Sequence, residues 1–398
     1  MKNSMRAMSF IVVALAIVFS IALPACAKPP ADLPTEIPVG CLMASSAAPA
    51  WGPNLIKATQ IGVEAVNSNG GILGKPIKLI LQDEGPTPAT AVYAAHKLVE
   101  ENRVQVIIGG TTSEDVMALG PYVESKGILL VSPTATSHSL SDFGWSKWVF
   151  RIPPGDSLQG GVVAKIIKDK GYKKIAMLVQ DSIYGKGIED TTREFLRGLA
   201  DVVIVVKYNP SKMSYLAELN EVRDKIPDCV LHAGYYNDGA VIYEQAFENG
   251  MYNIPWIAVD GVYDMPLDRY PKAAKFMEKV VTGTVPVADK KSQRYSEFYD
   301  RYKALYNIEP TIYCDAAFDG INLIAAAVRE AGIYHGSEIR DGFLTAGNKY
   351  QGASGVITFN TSGERQSGIY GIWKVEMEGT EYVFKITGQP VNFTRSGM

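Results

Sequence analysis

Between residues 37 and 259 the sequence alternates short Val/Ile/Leu-rich runs with amphipathic stretches, and this alternation constrains the fold more than any other feature. The spacing predicts strands over 37–43, 77–82, 104–108 and 128–132, with helices over 55–67, 89–101 and 113–126 between them. The first helix is expected to stop at Asn69-Gly70-Gly71. A second series follows, with helices over 158–170, 187–198, 215–225 and 240–249 and strands over 175–180, 202–207, 229–233 and 257–259. Apolar strands alternating with helices at this pitch imply parallel sheets covered on both faces. Between the series lies Phe150-Arg151-Ile152-Pro153-Pro154-Gly155-Asp156, a cluster of breakers expected to interrupt any helix or central strand and to carry the first crossing between two lobes. Long helices over 292–306 and 316–331 come next, and the chain beyond Gly352 is expected to form short strands and turns. The fold class is therefore α/β, with two doubly wound lobes.

The N-terminus carries a different signal. Lys2 and Arg6 precede an uncharged apolar run from Phe10 to Leu23, closed by Pro24-Ala25-Cys26-Ala27. This is the layout of a secretory signal peptide. The run is shorter than the about 20 residues that span a bilayer. Cys26 is read either as a lipobox cysteine, lipidated after cleavage, or as part of an Ala-x-Ala cleavage site ending at Ala27. The stretch 27–36, with Pro29, Pro30 and Pro34, suits a tether from a lipid anchor and favours the first. Export to the periplasm or the outer face of the cytoplasmic membrane follows from either.

Without Lys2 and Arg6, the 39 basic residues fall to 37 against 42 acidic ones. That balance excludes the basic footprint of a nucleic-acid binder. Cys41, Cys229 and Cys314 are widely spaced, match no metal or redox motif, and are expected to be isolated buried thiols.

In open α/β sheets, ligands bind beyond the carboxyl ends of the strands. Two turns there are rich in small hydroxyl residues: Gly109-Gly110-Thr111-Thr112-Ser113 and Ser132-Pro133-Thr134-Ala135-Thr136-Ser137. Side by side they would cradle a carboxylate with hydroxyls and helix N–H groups. At matching positions in the second series stand Asp181-Ser182-Ile183-Tyr184-Gly185, Gly234-Tyr235-Tyr236-Asn237-Asp238 and Asp260-Gly261-Val262-Tyr263. A carboxylate flanked by tyrosines suits an ammonium group. An anion cradle on one lobe and a cation site on the other match a zwitterion.

The chain resembles the leucine/isoleucine/valine-binding protein family, with its type I periplasmic-binding fold. The resemblance is carried by Gly70-Gly71-Ile72-Leu73-Gly74-Lys75-Pro76 with Gln82-Asp83, by 127–136, and by Asp181-Ser182-Ile183-Tyr184-Gly185-Lys186-Gly187. It implies two lobes, 37–151 with about 285–358 and 152–284 with about 359–398, joined by a multi-strand hinge. It further implies a monomeric, cofactor-free receptor that delivers a small ligand to the permease of an ABC importer. The site residues it implies are Ser113, Thr134 and Thr136 at the ligand carboxylate, Asp260 at the amine, Trp51 against the ligand side chain, and Tyr184 and Tyr235 at the family's tyrosine positions. The chain departs from the family's best-known members with Asp260 in place of Glu. Thr112 replaces a cysteine, and Asp83-Glu84-Gly85-Pro86 lacks its disulfide partner.

Signatures of enzymes are missing from the sequence: there is no Gly-x-Ser-x-Gly elbow and no His-Glu-x-x-His. Gly70–Lys75 is one residue short of a phosphate loop, and Pro76 follows it. The histidines (His96, His138, His232 and His335) are scattered, and His138 is read as a structural hydrogen-bonder. No catalytic residue, metal or cofactor is expected. Two rival readings stand beside the amino-acid receptor: a receptor for an aromatic acid, amide or urea-like ligand, and a sensory ligand-binding module.

Overall fold

The computed structural model describes residues 33–394. Its first series comprises β1 (Ile37–Met43), α1 (Gly52–Ser68), β2 (Ile77–Asp83), α2 (Pro88–His96, continued by a π-helical turn, Lys97–Glu101), β3 (Val106–Gly109), α3 (Ser113–Lys126), β4 (Leu129–Ser132) and β5 (Val149–Pro154). The second comprises α4 (Asp156–Lys170), β6 (Lys174–Gln180), α5 (Ile183–Leu196), β7 (Asp201–Tyr208), α6 (Leu216–Asp224), β8 (Cys229–Ala233), α7 (Tyr236–Glu248), β9 (Trp256–Ala258), α8 (Pro271–Val280) and β10 (Val281–Pro286). Then follow α9 (Gln293–Tyr306), α10 (Cys314–Ala331), α11 (Gly336–Ala346), β11 (Tyr350–Gly352), β12 (Gly355–Ile357), β13 (Glu364–Arg365), β14 (Ser367–Glu378) and β15 (Glu381–Thr394).

One sheet runs β13-β5-β4-β3-β1-β2 and the other β15-β14-β10-β9-β8-β6-β7. Pairing is parallel throughout the first sheet and from β7 to β10 in the second. Each sheet therefore reverses its winding between its first strand and its third, at β1/β3 and at β6/β8. Those are the topological switch points, where ligands bind doubly wound sheets. The strand runs are buried because helices cover both faces: Val106, Ile107 and Ile108, and likewise Val230 and Leu231, are fully inaccessible. Thr112 caps α3 by accepting the Asp115 N–H while Asp115 returns a bond to the Thr112 N–H, and Gly127 closes the helix in the left-handed region at φ 65°.

Two expectations are corrected. Residues 149–154 do continue a strand, β5, whose Phe150 and Ile152 are buried. Two prolines are tolerated there because only the two-residue β13 lies on the outer side, with a register shift between Glu364 and Arg365. The crossing to the second sheet follows the strand rather than replacing it. Beyond Gly352 the chain does not stay in short pieces: β14 (12 residues) and β15 (14 residues) form a long antiparallel hairpin on the edge of the second sheet. Its exposed outer half dilutes the apolar signal that would have marked it. The amphipathic helices α8 and α11 were likewise not anticipated.

The chain passes between the sheets three times, after β5, after β10 and after β13. The junction is held by buried ions. Glu364 accepts from His138 Nδ1 (3.0 Å), Ser157 Oγ (2.6 Å) and Ser141 Oγ (3.2 Å), with Arg151 Nη2 at 3.8 Å. Arg365 donates to Ile152 O (3.1 Å), Ser354 Oγ (2.9 Å) and Val356 O (3.0 Å). Cys41, Cys229 and Cys314 are separate, buried and unpaired. The signal-peptide segment 1–26 with Cys26, and the tether as far as residue 32, lie outside the described residues. Among the described residues no helix is long and apolar enough to cross a membrane.

Candidate ligand site between the two sheets

The loops at the two switch points face each other, and each sequence-derived residue has a defined place there. From the first sheet, Trp51 sits just before α1, buried, with its indole edge-to-face on Tyr235 (6.3 Å) and Tyr236 (5.5 Å). Ser113 is the first residue of α3, and its Oγ accepts the Ser137 N–H at 3.3 Å. Thr134 spends its hydroxyl hydrogen on Thr111 O at 2.7 Å, stitching the two hydroxyl-rich turns together. Thr136 is buried; its carbonyl receives the Asp156 N–H (2.9 Å) and Arg151 Nη1 (3.2 Å).

From the second sheet, Asp260 follows β9 and is 4% exposed. Its Oδ1 accepts the Tyr184 hydroxyl at 2.8 Å and its Oδ2 the Tyr313 hydroxyl at 2.5 Å. Tyr184 also accepts the Gly261 N–H at 3.0 Å and stacks on Tyr235, ring centres 4.8 Å apart. Burial raises the Asp260 carboxyl above its ordinary range, and the hydroxyls of Tyr313 and Tyr184 offset part of that.

Four residues in this region were not singled out in advance. Glu114, in the first turn of α3, accepts the Tyr184 N–H (3.1 Å) and the Tyr235 hydroxyl (3.2 Å), tying the first lobe to the second. Tyr313 caps α10 in the left-handed region at φ 68°, a costly conformation for a tyrosine that aims its hydroxyl at Asp260. Asp156 and Gln159 lie in the first turn of α4, fully buried, with Asp156 near enough to Asp260 to feel its charge. A signal for Asp156 existed, since it ends the Pro-Pro-Gly cluster as a helix-opening acid; nothing in the sequence marks Tyr313.

The bonds from Tyr184 and Tyr235 to Glu114, from Tyr313 to Asp260, and from Ser137 Oγ to Ile183 O (2.8 Å) all join the two lobes. At the mouth lies a pocket of 370 Å³ lined by Trp51, Tyr235 and Tyr236 with Glu114, Asp115, Asp181 and Asp238, and by no lysine or arginine. Among the described residues no cluster could hold a metal ion. The chemistry on offer is recognition by hydrogen bonds, charge and aromatic contact.

Comparisons with known proteins bear on the family and the fold. The profile of the family described as "Periplasmic binding protein" matches residues 36–380. A Leu/Ile/Val-binding protein of Rhizobium johnstonii is 26% identical over 332 residues, covering 82% of this chain and 88% of that one. The branched-chain amino acid transporter substrate-binding protein of Streptococcus pneumoniae, solved with isoleucine, superposes with a TM-score of 0.75 at 25% identity, covering 88% of this chain and 99% of that one. A solute-binding protein of an ABC transporter from Rhodopseudomonas palustris, solved with 3,4-dihydroxybenzoic acid, gives a TM-score of 0.74 at 20% identity, covering 92% and 99%.

Proposed function

Because the chain belongs to the periplasmic binding protein family, whose members are extracytoplasmic solute-binding proteins, we propose that it captures an amino acid for an ABC importer by closing its two lobes on the ligand. The observation that carries the reading is the buried Asp260 carboxylate, held by Tyr184 and Tyr313 across the cleft from the hydroxyl turns of Ser113, Thr134 and Thr136. Asp260 answers the ligand's ammonium. The α3 N-terminus with Ser113 and Thr136 answers its carboxylate. Trp51, Tyr184 and Tyr235 enclose its side chain. Closure strengthens each of these contacts by excluding water, and a ligand that leaves one buried group unpaired loses about 1–3 kcal/mol.

The receptor binds and releases its ligand unchanged; it is not an enzyme and uses no cofactor. It acts as a monomer, anchored through lipidated Cys26 and handing its ligand to the membrane permease. The lobe boundaries are 37–151 with about 285–358, and 152–284 with about 359–398. A second reading, an aromatic acid as ligand, draws support from the Trp51, Tyr235 and Tyr236 rings and from the dihydroxybenzoate bound by the Rhodopseudomonas neighbour. It leaves Asp260 without a cation.

A thermal-shift screen of the twenty amino acids and a set of benzoates separates the two. A ligand at 100 times its Kd stabilises the protein by about 2.7 kcal/mol. At least one amino acid is expected to raise the melting temperature, and benzoates are not; the reverse pattern overturns the proposal.

A further inference from the structure

Buried polar atoms nearly always find hydrogen-bond partners, yet three acceptors in the first turn of α4 have none. They are both carboxylate oxygens of Asp156 and Oε1 of Gln159, on side chains that are fully buried. Three residues apart in the first turn of α4, the two side chains share one helix face. The Gln159 Nε2 lies 2.9 Å from Thr284 Oγ1 and 3.4 Å from Thr284 O, and because that carbonyl only accepts, Nε2 is the end that faces it and Oε1 the unpartnered end.

The protein's own groups do not supply the missing donors. The Thr136 hydroxyl lies near enough to ease the charge on Asp156 but outside hydrogen-bond geometry. Arg151 is committed elsewhere, to Thr136 O, to Ser137 O at 2.5 Å and to Ser141 Oγ at 2.7 Å. Tyr370 donates to Gly155 O at 3.0 Å. From α5, a Cβ on Gly187 would lie 2.6 Å from Asp156 Oδ2, so bare backbone closes over the carboxylate. Asp260 is close enough for its charge to oppose ionisation of Asp156, and its own oxygens are engaged by the Tyr184 and Tyr313 hydroxyls and approached by the Gln159 amide.

Three unpartnered acceptors beside a second carboxylate match the three N–H donors of a primary ammonium. We propose that Asp156 and Gln159 form an ammonium subsite in the floor of the cleft, so that the ligand's amine is held by this pair as well as by Asp260. The inference rests on the amino-acid reading above and sharpens it. The acidic, lysine-free mouth lined by Glu114, Asp115, Asp181 and Asp238 points the same way, since it favours entry of a cationic group.

The test is a calorimetric cycle. Wild-type protein is titrated with the twenty amino acids, and the tightest binder and its des-amino analogue are then titrated against wild type and Asp156→Asn. The variant is expected to bind the amino acid at least about tenfold more weakly and to lose little affinity for the analogue. Its ligand-free melting temperature should not fall, because a buried carboxylate facing Asp260 is replaced by a neutral group. Gln159→Met should weaken the amino acid in the same selective way. Unchanged affinity, an equal loss for both ligands, or a variant that unfolds overturns the subsite while leaving the amino-acid reading standing. A wild-type protein that binds no amino acid overturns both.

Discussion

Replacing Glu364 by glutamine perturbs the junction between the sheets without adding bulk. Burial alone would raise this carboxyl, but the hydrogen bond from His138, the charge of Arg151 and the hydroxyl of Ser157 overcome it and hold it at about 2, against an ordinary 4.5. A carboxyl lowered in the folded state contributes stability above its unfolded value and loses it as pH falls through the folded one. A depression of that size corresponds to about 3 kcal/mol at neutral pH, at 1.36 kcal/mol per unit. The side chain is 4% exposed, so solvent screening removes little of this. With about 2.1 cal/mol/K of unfolding entropy per residue, a chain of this size melting as one cooperative unit should drop by about 4 °C. Scanning calorimetry of wild type and Glu364→Gln at pH 7, 5 and 2 reads the effect. The gap should be full at pH 7 and mostly closed at pH 2. Equal melting temperatures at pH 7, or a gap that persists at pH 2, would refute the ion cluster as the source of stability.

Glu114→Ala removes both acceptors that join α3 to Tyr184 and Tyr235. The ligand-free protein should open, seen as a larger radius of gyration by small-angle scattering with little change in melting temperature, and an unchanged radius means that Glu114 does not hold the lobes. The thiols of Cys41, Cys229 and Cys314 are buried and pushed above their ordinary range by that burial, Cys314 to about 12. Ellman's reagent should therefore label none of them in native protein at pH 8 and all three after denaturation; rapid native labelling would contradict the packing.

Most of the fold was legible because buried parallel strands and their helices write long, consistent patterns. The first helices and strands fall within a few residues of their expected limits: the helix 113–126 is α3. What failed has physical causes. The prolines of 150–156 obey the rule against central strands, but β5 is nearly an edge, so the rule does not apply there. The β14–β15 hairpin is half solvated, and its alternation reads as turn and loop. For the site, the loops after β3, β4, β6, β8 and β9 could be located from strand ends alone. Tyr313 could not, since it reaches Asp260 from an element whose orientation only the folded chain defines. Glu114 is a first-turn acid of α3, and its role emerges only when the two lobes meet.

The claim that the cleft recognises an amino acid through its ammonium group is tested most directly by titrating Asp260→Ala in a calorimeter with the amino acid that wild type binds most tightly. Losing the charge-assisted bonds from one buried carboxylate should nearly abolish binding, raising Kd by on the order of 100-fold, while the variant keeps a cooperative melting transition. A variant that binds the same amino acid with wild-type affinity would contradict the assignment of this cleft as an amino-acid site.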